Sequence, residues 1–399
     1  MAIDVGDICR WILDTGLAGD GEQALLNGTA ERLRAVGVPL TRANMVCDTL
    51  HPILEGHAFR WRSGEEEAAV IAYGRDHDPD SWANSPFNHL EQSGAPMLLR
   101  LLSPATDGEF SYLAELRAEG QTGYLATIVR FGGTGGDGIG VGGMECVYVS
   151  WITDRPGGFA EAEVAAVLAI MPSLGLAMRA ASLSGIAHTI ARTYLGRDVA
   201  RQVMSGRIVR GVAEKRDAVL WFSDLRDWTR ISGSLPPDQV IPFLNDHVEP
   251  VVAAIHAAGG EVLKFMGDGI LAVFPADDRH AAAERALAAA AAARQGLGDL
   301  ARMREGADLP STGLYLALHV GSVFYGNVGG PDRLDFTVVG PAVNEVARIA
   351  AMCRSVDRSL LLSQAFVDAL DGADQQVASV GRFALRGVEV VQHLYTPDA

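Results

Sequence analysis

The period of the apolar positions changes several times along the chain, and each change predicts a new element. Val5–Thr15 and Gln23–Val36 carry apolar residues at helical spacing, and Val38-Pro39 closes the second helix. Alternation then predicts strands at Asn44–Leu54, Ala58–Trp61 and Ala68–Tyr73. Ser85–Leu102 reads as a helix crossing the sheet. Tyr124–Phe131 and Cys146–Thr153 are dense in apolar and β-branched residues and read as central strands. From Val164 the period is helical again, through an apolar run to Leu183 and on to Met204, interrupted by Gly185 and Gly196. Residues 1–182 therefore read as one α+β domain and 183–215 as a helical linker, suited either to a parallel dimer stalk or to packing on its own domain.

Residues 216–399 show a second α+β order. Ala218–Phe222 is short and apolar, as a buried strand is. Gln239–Ala258 is helical and stops at Gly259-Gly260. Glu261–Phe265 and Ile270–Phe274 are strands joined by a tight hairpin at Gly267-Asp268-Gly269. Arg279–Glu305 is an alanine-rich helix, and Gly313–His319 and Phe336–Val339 are strands. Pro341–Met352 is a helix with proline suited to its first turn. The order is βαββαβ.

Composition changes this picture little. A chain of 399 residues has room for two or three cores, and 48% hydrophobic against 21% charged residues is ordinary for a globular protein. A net charge of −16 argues against a nucleic-acid surface. It does not exclude a nucleotide, because phosphates answer to local cations and metals. Lys215 and Lys264 are the only lysines, so a lysine inside a motif is informative. Cys9, Cys47, Cys146 and Cys353 form no CxxC pair, which suits a reduced, cytoplasmic setting. No basic segment followed by an apolar run opens the sequence, so no signal peptide is expected. Val164–Leu183 holds Pro172 and Arg179 and reads as a packed helix rather than a membrane span.

The chemistry concentrates in three runs. The first is Leu220-Trp221-Phe222-Ser223-Asp224-Leu225-Arg226-Asp227-Trp228-Thr229, and the second is Val262-Leu263-Lys264-Phe265-Met266-Gly267-Asp268-Gly269. Neighbouring strands would bring Asp224 and Asp268 together. Two carboxylates so placed either repel or share cations, and oxygen-only ligation suits Mg²⁺ or Mn²⁺. The plain alternative is a helix cap for Asp224 and an Asp-Gly turn for Asp268. Lys264 stands among apolar neighbours, where an ammonium needs a partner. The third run is Asp335-Phe336-Thr337-Val338-Val339-Gly340-Pro341-Ala342-Val343-Asn344-Glu345-Val346-Ala347-Arg348. In it, Asn344 and Arg348 share a helix face, as an active pair or as surface residues. A GxGxxG at Gly138, Gly140 and Gly143 lacks a following helix and reads as a hairpin loop. Cys47, His51 and His57 read as structural rather than as a metal site.

Together the three runs resemble the catalytic domain of class III nucleotidyl cyclases, whose core is ferredoxin-like. The resemblance implies an adenylate cyclase that converts ATP to 3′,5′-cyclic AMP and pyrophosphate with two Mg²⁺ or Mn²⁺ ions per site. It implies metal binding by Asp224, Asp268 and the backbone of Leu225. Lys264 and Thr337 would read the base, Asn344 would position the ribose, and Arg348 would stabilise charge on the α-phosphate. Arg333 and Arg386 would be triphosphate contacts. Family members pair head to tail, which implies a homodimer with composite sites. Guanylyl cyclases usually carry glutamate and cysteine where this chain has Lys264 and Thr337, so ATP is favoured over GTP. The other readings are a guanylate cyclase and a catalytically silent nucleotide-binding module. The family usually has glycine and phenylalanine where Asp227 and Trp228 stand here. The strand Cys146–Thr153, the acidic turn after it and the closing helix resemble the end of GAF-type sensor domains, implying regulation by an unknown small molecule.

Overall fold

The computed structural model describes residues 3–48, 54–65, 69–74, 82–131, 146–207, 211, 213–370 and 377–397. The glycine run at 132–143 and His51 lie outside them. The chain divides into two compact units, 1–190 and 191–399.

The first unit is an antiparallel sheet between two helical layers. Its elements are α1 (Gly6–Ala18), α2 (Glu22–Ala35), β1 (Arg42–Asp48), β2 (Leu54–Arg62), β3 (Ala69–Gly74), α3 (Pro86–Ser93), β4 (Met97–Leu101), α4 (Ser111–Ala118), β5 (Gly123–Arg130), β6 (Cys146–Thr153) and α5 (Glu161–Leu195). The strand order is β3-β2-β1-β6-β5-β4. Ile12, Leu25, Leu33, Trp151, Ile170 and Leu174 belong to the core on one face, and Leu90, Leu113, Tyr124 and Ile152 to the core on the other. Three expectations are corrected. Asn44–Leu54 is not one strand: β1 ends at Asp48, Leu54 opens β2, and 49–53 lie outside the described residues. Ser85–Leu102 is not one helix: Gly94, at φ +69°, ends α3, and the chain re-enters the sheet as β4. Gly185 does not interrupt α5, which runs on to Leu195; the break falls at Gly196, at φ +82°. By length and composition α5 could cross a membrane, but half of its apolar window is buried inside the protein.

The second unit opens with α6 (Arg197–Met204) and then builds one large sheet. It comprises β7 (Ala213–Leu225), α7 (Trp228–Ser232), α8 (Pro237–Ala257), β8 (Glu261–Met266), β9 (Gly269–Pro275), α9 (Arg279–Glu305), β10 (Leu314–Gly329), β11 (Leu334–Val339), α10 (Pro341–Met352), β12 (Leu360–Ser363), α11 (Gln364–Ala369), β13 (Ala378–Phe383) and β14 (Gln392–Thr396). The βαββαβ order is present. Its four strands lie as β10-β7-β9-β8, β12, β14 and β13 extend the β10 edge, and β11 pairs β10.

The sequence pattern explains the layers. Trp221, Phe274, Leu316 and Leu318 face α8 and α9, and Ala218, Leu220, Leu271 and Ala317 face α10. Ala282, Ala286, Ala289 and Ala293 are fully or almost fully buried, so α9 meets the sheet through methyl groups and packs close to it. Two strands are longer than their apolar runs. β7 continues to Leu225 and therefore contains Asp224, and β10 continues past His319 to Gly329.

Candidate active site

The end of β7 and the β8–β9 hairpin meet at a pair of carboxylates. β7 pairs antiparallel with β9, which returns from the hairpin whose turn is Gly267-Asp268. Gly267 takes φ +67°, a conformation that favours glycine. The turn swings the Asp268 carboxylate back to the end of β7, where its Oδ2 accepts a hydrogen bond from the Leu225 amide at 3.1 Å. Asp268 thus does more than shape its turn. Asp224 does not cap the next helix; Asp227 occupies that position.

Burial, and then the negative charge of Asp268, push the Asp224 carboxyl up from 3.8 to about 6. A raised acid beside a second acid is a place where a cation would relieve both causes. Among the described residues no group of three or more His, Cys, Asp or Glu converges as a metal site, so this pair would need further oxygen donors. The donors present are oxygen only: two carboxylates and the Leu225 carbonyl, since its amide is committed to Asp268. That set fits a hard divalent ion of the Mg²⁺ or Mn²⁺ kind, with water or a nucleotide completing its shell.

The segment after Asp224 is held firmly. The Arg226 amide donates to the Gly313 carbonyl at 2.9 Å, and the Arg226 carbonyl accepts from Thr312 Oγ1 at 2.7 Å. The Arg226 guanidinium lies 4.7 Å from the ring of Tyr315, the residue opposite Asp224 on β10. Asp227 takes φ +53°, which explains why glycine suits this position; among other residues, aspartate and asparagine tolerate it best. Its carboxylate faces Arg354 at 3.6 Å. Trp228 stacks on Phe243 with centroids 6.1 Å apart.

Lys264 stands on β8 with its side chain 45% exposed, so the strand is not buried as its apolar neighbours suggest. Phe265 and Met266 beside it are exposed too. Its ammonium pairs with Asp335 on β11. Thr337, two residues on and half-buried, stands on the same face of β11, opposite Gly326 of β10. Asp335 was present in the third run but carried no signal of its own, because a charge at a strand's start usually marks a solvated end.

Asn344 and Arg348 lie on the exposed side of α10, while Val346, Ile349 and Ala350 face the sheet. The helix is pinned by Glu345, whose carboxylate lies 3.3 Å from Nε2 of the buried His319. Nδ1 of that ring meets Ser363 Oγ at 2.9 Å. Burial pushes His319 down to about 4. Asn344 and Glu345 both line a cavity of about 1310 Å³ that reaches Arg382 and the turn before β14. Arg333, before β11, and Arg386, between β13 and β14, are exposed. The structure thus forms a carboxylate pair, a Lys264–Asp335 pair beside Thr337, and a presented Asn344–Arg348 face.

Residues 212–396 match the family model "Adenylate and Guanylate cyclase catalytic domain". An adenylate cyclase from Anabaena cylindrica is 34% identical over 161 residues, which are 39% of this chain and 31% of that protein. Adenylate cyclase 1 of Rhizobium meliloti is 28% identical over 178 residues, 44% of this chain and 26% of the other. The matched stretch therefore spans a third or less of these relatives' own length. Among solved structures, the adenylyl cyclase CyaB from P. aeruginosa aligns with 46% of this chain and 94% of its own, at 20% identity and a TM-score of 0.42. The similarity to adenylate and guanylate cyclase catalytic domains thus covers residues 212–396.

Proposed function

We propose that the chain is an adenylate cyclase that converts ATP to 3′,5′-cyclic AMP and pyrophosphate at sites shared between two copies of itself. The observation that carries this reading is the Asp224–Asp268 pair, brought together by a hairpin so that each carboxylate raises the need for a shared cation. In the reaction the ribose O3′ forms a bond to the α-phosphorus, the bond from that phosphorus to the bridging oxygen breaks, and pyrophosphate leaves. Divalent ions held by Asp224, Asp268 and the Leu225 carbonyl would supply Lewis acidity at the attacking and leaving oxygens.

Each remaining role falls to a residue of this chain. The proton leaving O3′ passes to Asp224 or to water. Arg348 offers a fixed positive charge to the α-phosphate, and Asn344, one helical turn before it, offers an amide to the ribose. Lys264 and Thr337 meet the base, and lysine with threonine in place of glutamate with cysteine favours adenine over guanine, with Asp335 holding the lysine. Arg333 and Arg386 are cations available to the triphosphate.

Two further parts belong to the proposal. Phe265, Met266, Phe324, Val328, Leu334 and Val339 are exposed apolar residues on β8, β10 and β11, which supports a second copy covering this side. Residues 1–182 form a GAF-like regulatory domain, 183–215 a helical linker and 216–399 the catalytic domain. The first unit's sheet between two helical layers supports the sensor reading.

Assaying the purified full chain with ATP and GTP, under Mg²⁺ and Mn²⁺, tests the proposal. Cyclic AMP should dominate, and Asp224→Asn should make none. ATP binding without cyclic product would point to a silent nucleotide-binding module instead.

A further inference from the structure

Behind the strand end that carries Asp224, α8 buries a histidine that the reaction above leaves without a role. His247 is 0% exposed. Its Nδ1 lies 2.7 Å from the Phe243 carbonyl. A carbonyl oxygen only accepts, so Nδ1 carries the proton. Nε2 is then a lone pair, and it accepts the Thr312 backbone N–H at 3.2 Å. Two main-chain partners therefore fix both the tautomer and the neutral state. Burial, with the charge of Arg304 adding to it, lowers the affinity of this ring for a second proton.

Thr312 passes the constraint on. Its hydroxyl donates to the Arg226 carbonyl, and the next carbonyl, of Gly313, accepts from the Arg226 amide. Both backbone groups of Arg226 are thus gripped by the two residues that lead into β10. A second route runs through rings. His247 stacks on Phe243 at 4.0 Å between centroids, and Phe243 stacks on Trp228. Arg304 closes the column: its guanidinium lies 5.1 Å from the Phe243 centroid, and it bonds the Pro310 carbonyl at 2.7 Å and Asp246 at 2.5 Å. Both routes end on residues 226–228, directly after the metal-binding candidates Asp224 and Leu225.

We infer that His247 is a positioning residue: as a neutral ring it sets the backbone of Leu225–Trp228 through Thr312 and through the Phe243–Trp228 stack. The catalytic part of this inference rests on the cyclase reading; the structural part does not.

The test uses the full chain. His247→Phe keeps a ring on Phe243 but removes both hydrogen bonds, and His247→Gln restores an acceptor toward Thr312. Hydrogen–deuterium exchange should rise about tenfold in peptides covering 224–228 and 311–313 of His247→Phe, the size of one lost backbone hydrogen bond. It should return toward wild type in His247→Gln. With ATP, kcat should fall about tenfold while KM stays within about twofold, because the nucleotide's base contacts lie elsewhere. If His247→Phe does not fold, Thr312→Val removes the link to the Arg226 carbonyl at equal volume and should give the same pattern. Exchange unchanged at 224–228, or raised equally in every peptide, would overturn the inference. If the wild-type chain makes no cyclic nucleotide, the cyclase reading falls and the exchange data still decide the role of His247.

Discussion

Lys264 finds its counter-ion in Asp335, two residues before Thr337 on the same face of β11. The lysine's charge is therefore already paired, and on the proposed reading the carboxylate would lie beside the base. An ionised carboxylate only accepts hydrogen bonds, so at the 6-position it would accept from adenine's amine and repel guanine's carbonyl. Asp335→Asn should lower the ratio of kcat/KM for ATP over GTP by about tenfold. Lys264→Ala should raise KM for both nucleotides. An unaltered ratio in Asp335→Asn would reduce the pair to a surface ion pair worth little.

The Asp224 carboxyl gives a prediction about stability with its sign fixed. Its folded pKa of about 6 lies above the ordinary 3.8, so the fold favours the protonated form. The stability it contributes is fully present below about pH 4 and is lost as pH rises through 6. Without metal, Asp224→Asn should therefore melt higher than wild type at pH 8, and the gap should close at pH 4. Turnover should meanwhile fall by orders of magnitude. Thermal unfolding in a chelator across that range checks the first statement, and a cyclase assay checks the second. Divalent-metal binding by the wild type should weaken below about pH 6, as protons compete for the site.

Shared sites predict complementation. Asp224→Ala and Arg348→Ala should each be nearly inactive. Co-expressed with different tags and purified as heterodimers, they should regain activity, since one site then holds both intact halves. An unsorted random mixture should reach about a quarter of the wild-type rate. Isolated heterodimers as inactive as their parents would place all the residues of a site on one chain.

Asp227 tests backbone strain near the site. Asp227→Gly should leave stability within about 0.5 kcal/mol, relief at φ +53° offsetting the lost contact with Arg354. Asp227→Val should cost about 1–2 kcal/mol, because a β-branched residue resists the left-handed region. Urea unfolding of both variants measures the difference.

Where an element was legible in the sequence, two signals agreed. Pro341–Met352 has proline in its first turn and a helical apolar period, and its bounds follow from these. Arg279–Glu305 is rich in alanine, and in the structure Asp278 caps it by accepting from the Ala281 amide. Asp268 stood out because an Asp-Gly turn lay between two apolar strands. Legibility failed where signals conflicted or were faint. In Ser85–Leu102 leucines fit either period, and the glycine that decides sits between helix and strand. The second half of β10 holds Gly321 and Gly326, and it buries Val323 and Tyr325 while exposing the equally apolar Phe324 between them, so no alternation of apolar and polar residues marks it. β12, β13 and β14 were not anticipated, because β12 is only four residues long and Ser379, Gly381, Arg382, Gln392 and His393 break the apolar pattern of β13 and β14. His247 was invisible because a histidine becomes informative only through its partners, and Thr312 lies 65 positions away.

The left-handed turn at Asp227 also bears on how this site can change over generations. Aspartate codons are one base away from glycine codons and one base away from asparagine codons. These are the three residues that accept the conformation most readily. A lineage can therefore add or remove a carboxylate beside Arg354 by single-nucleotide steps that never pass through a residue the turn rejects. The loop next to Asp224 and Asp268 is a position where charge can be varied while the backbone stays fixed.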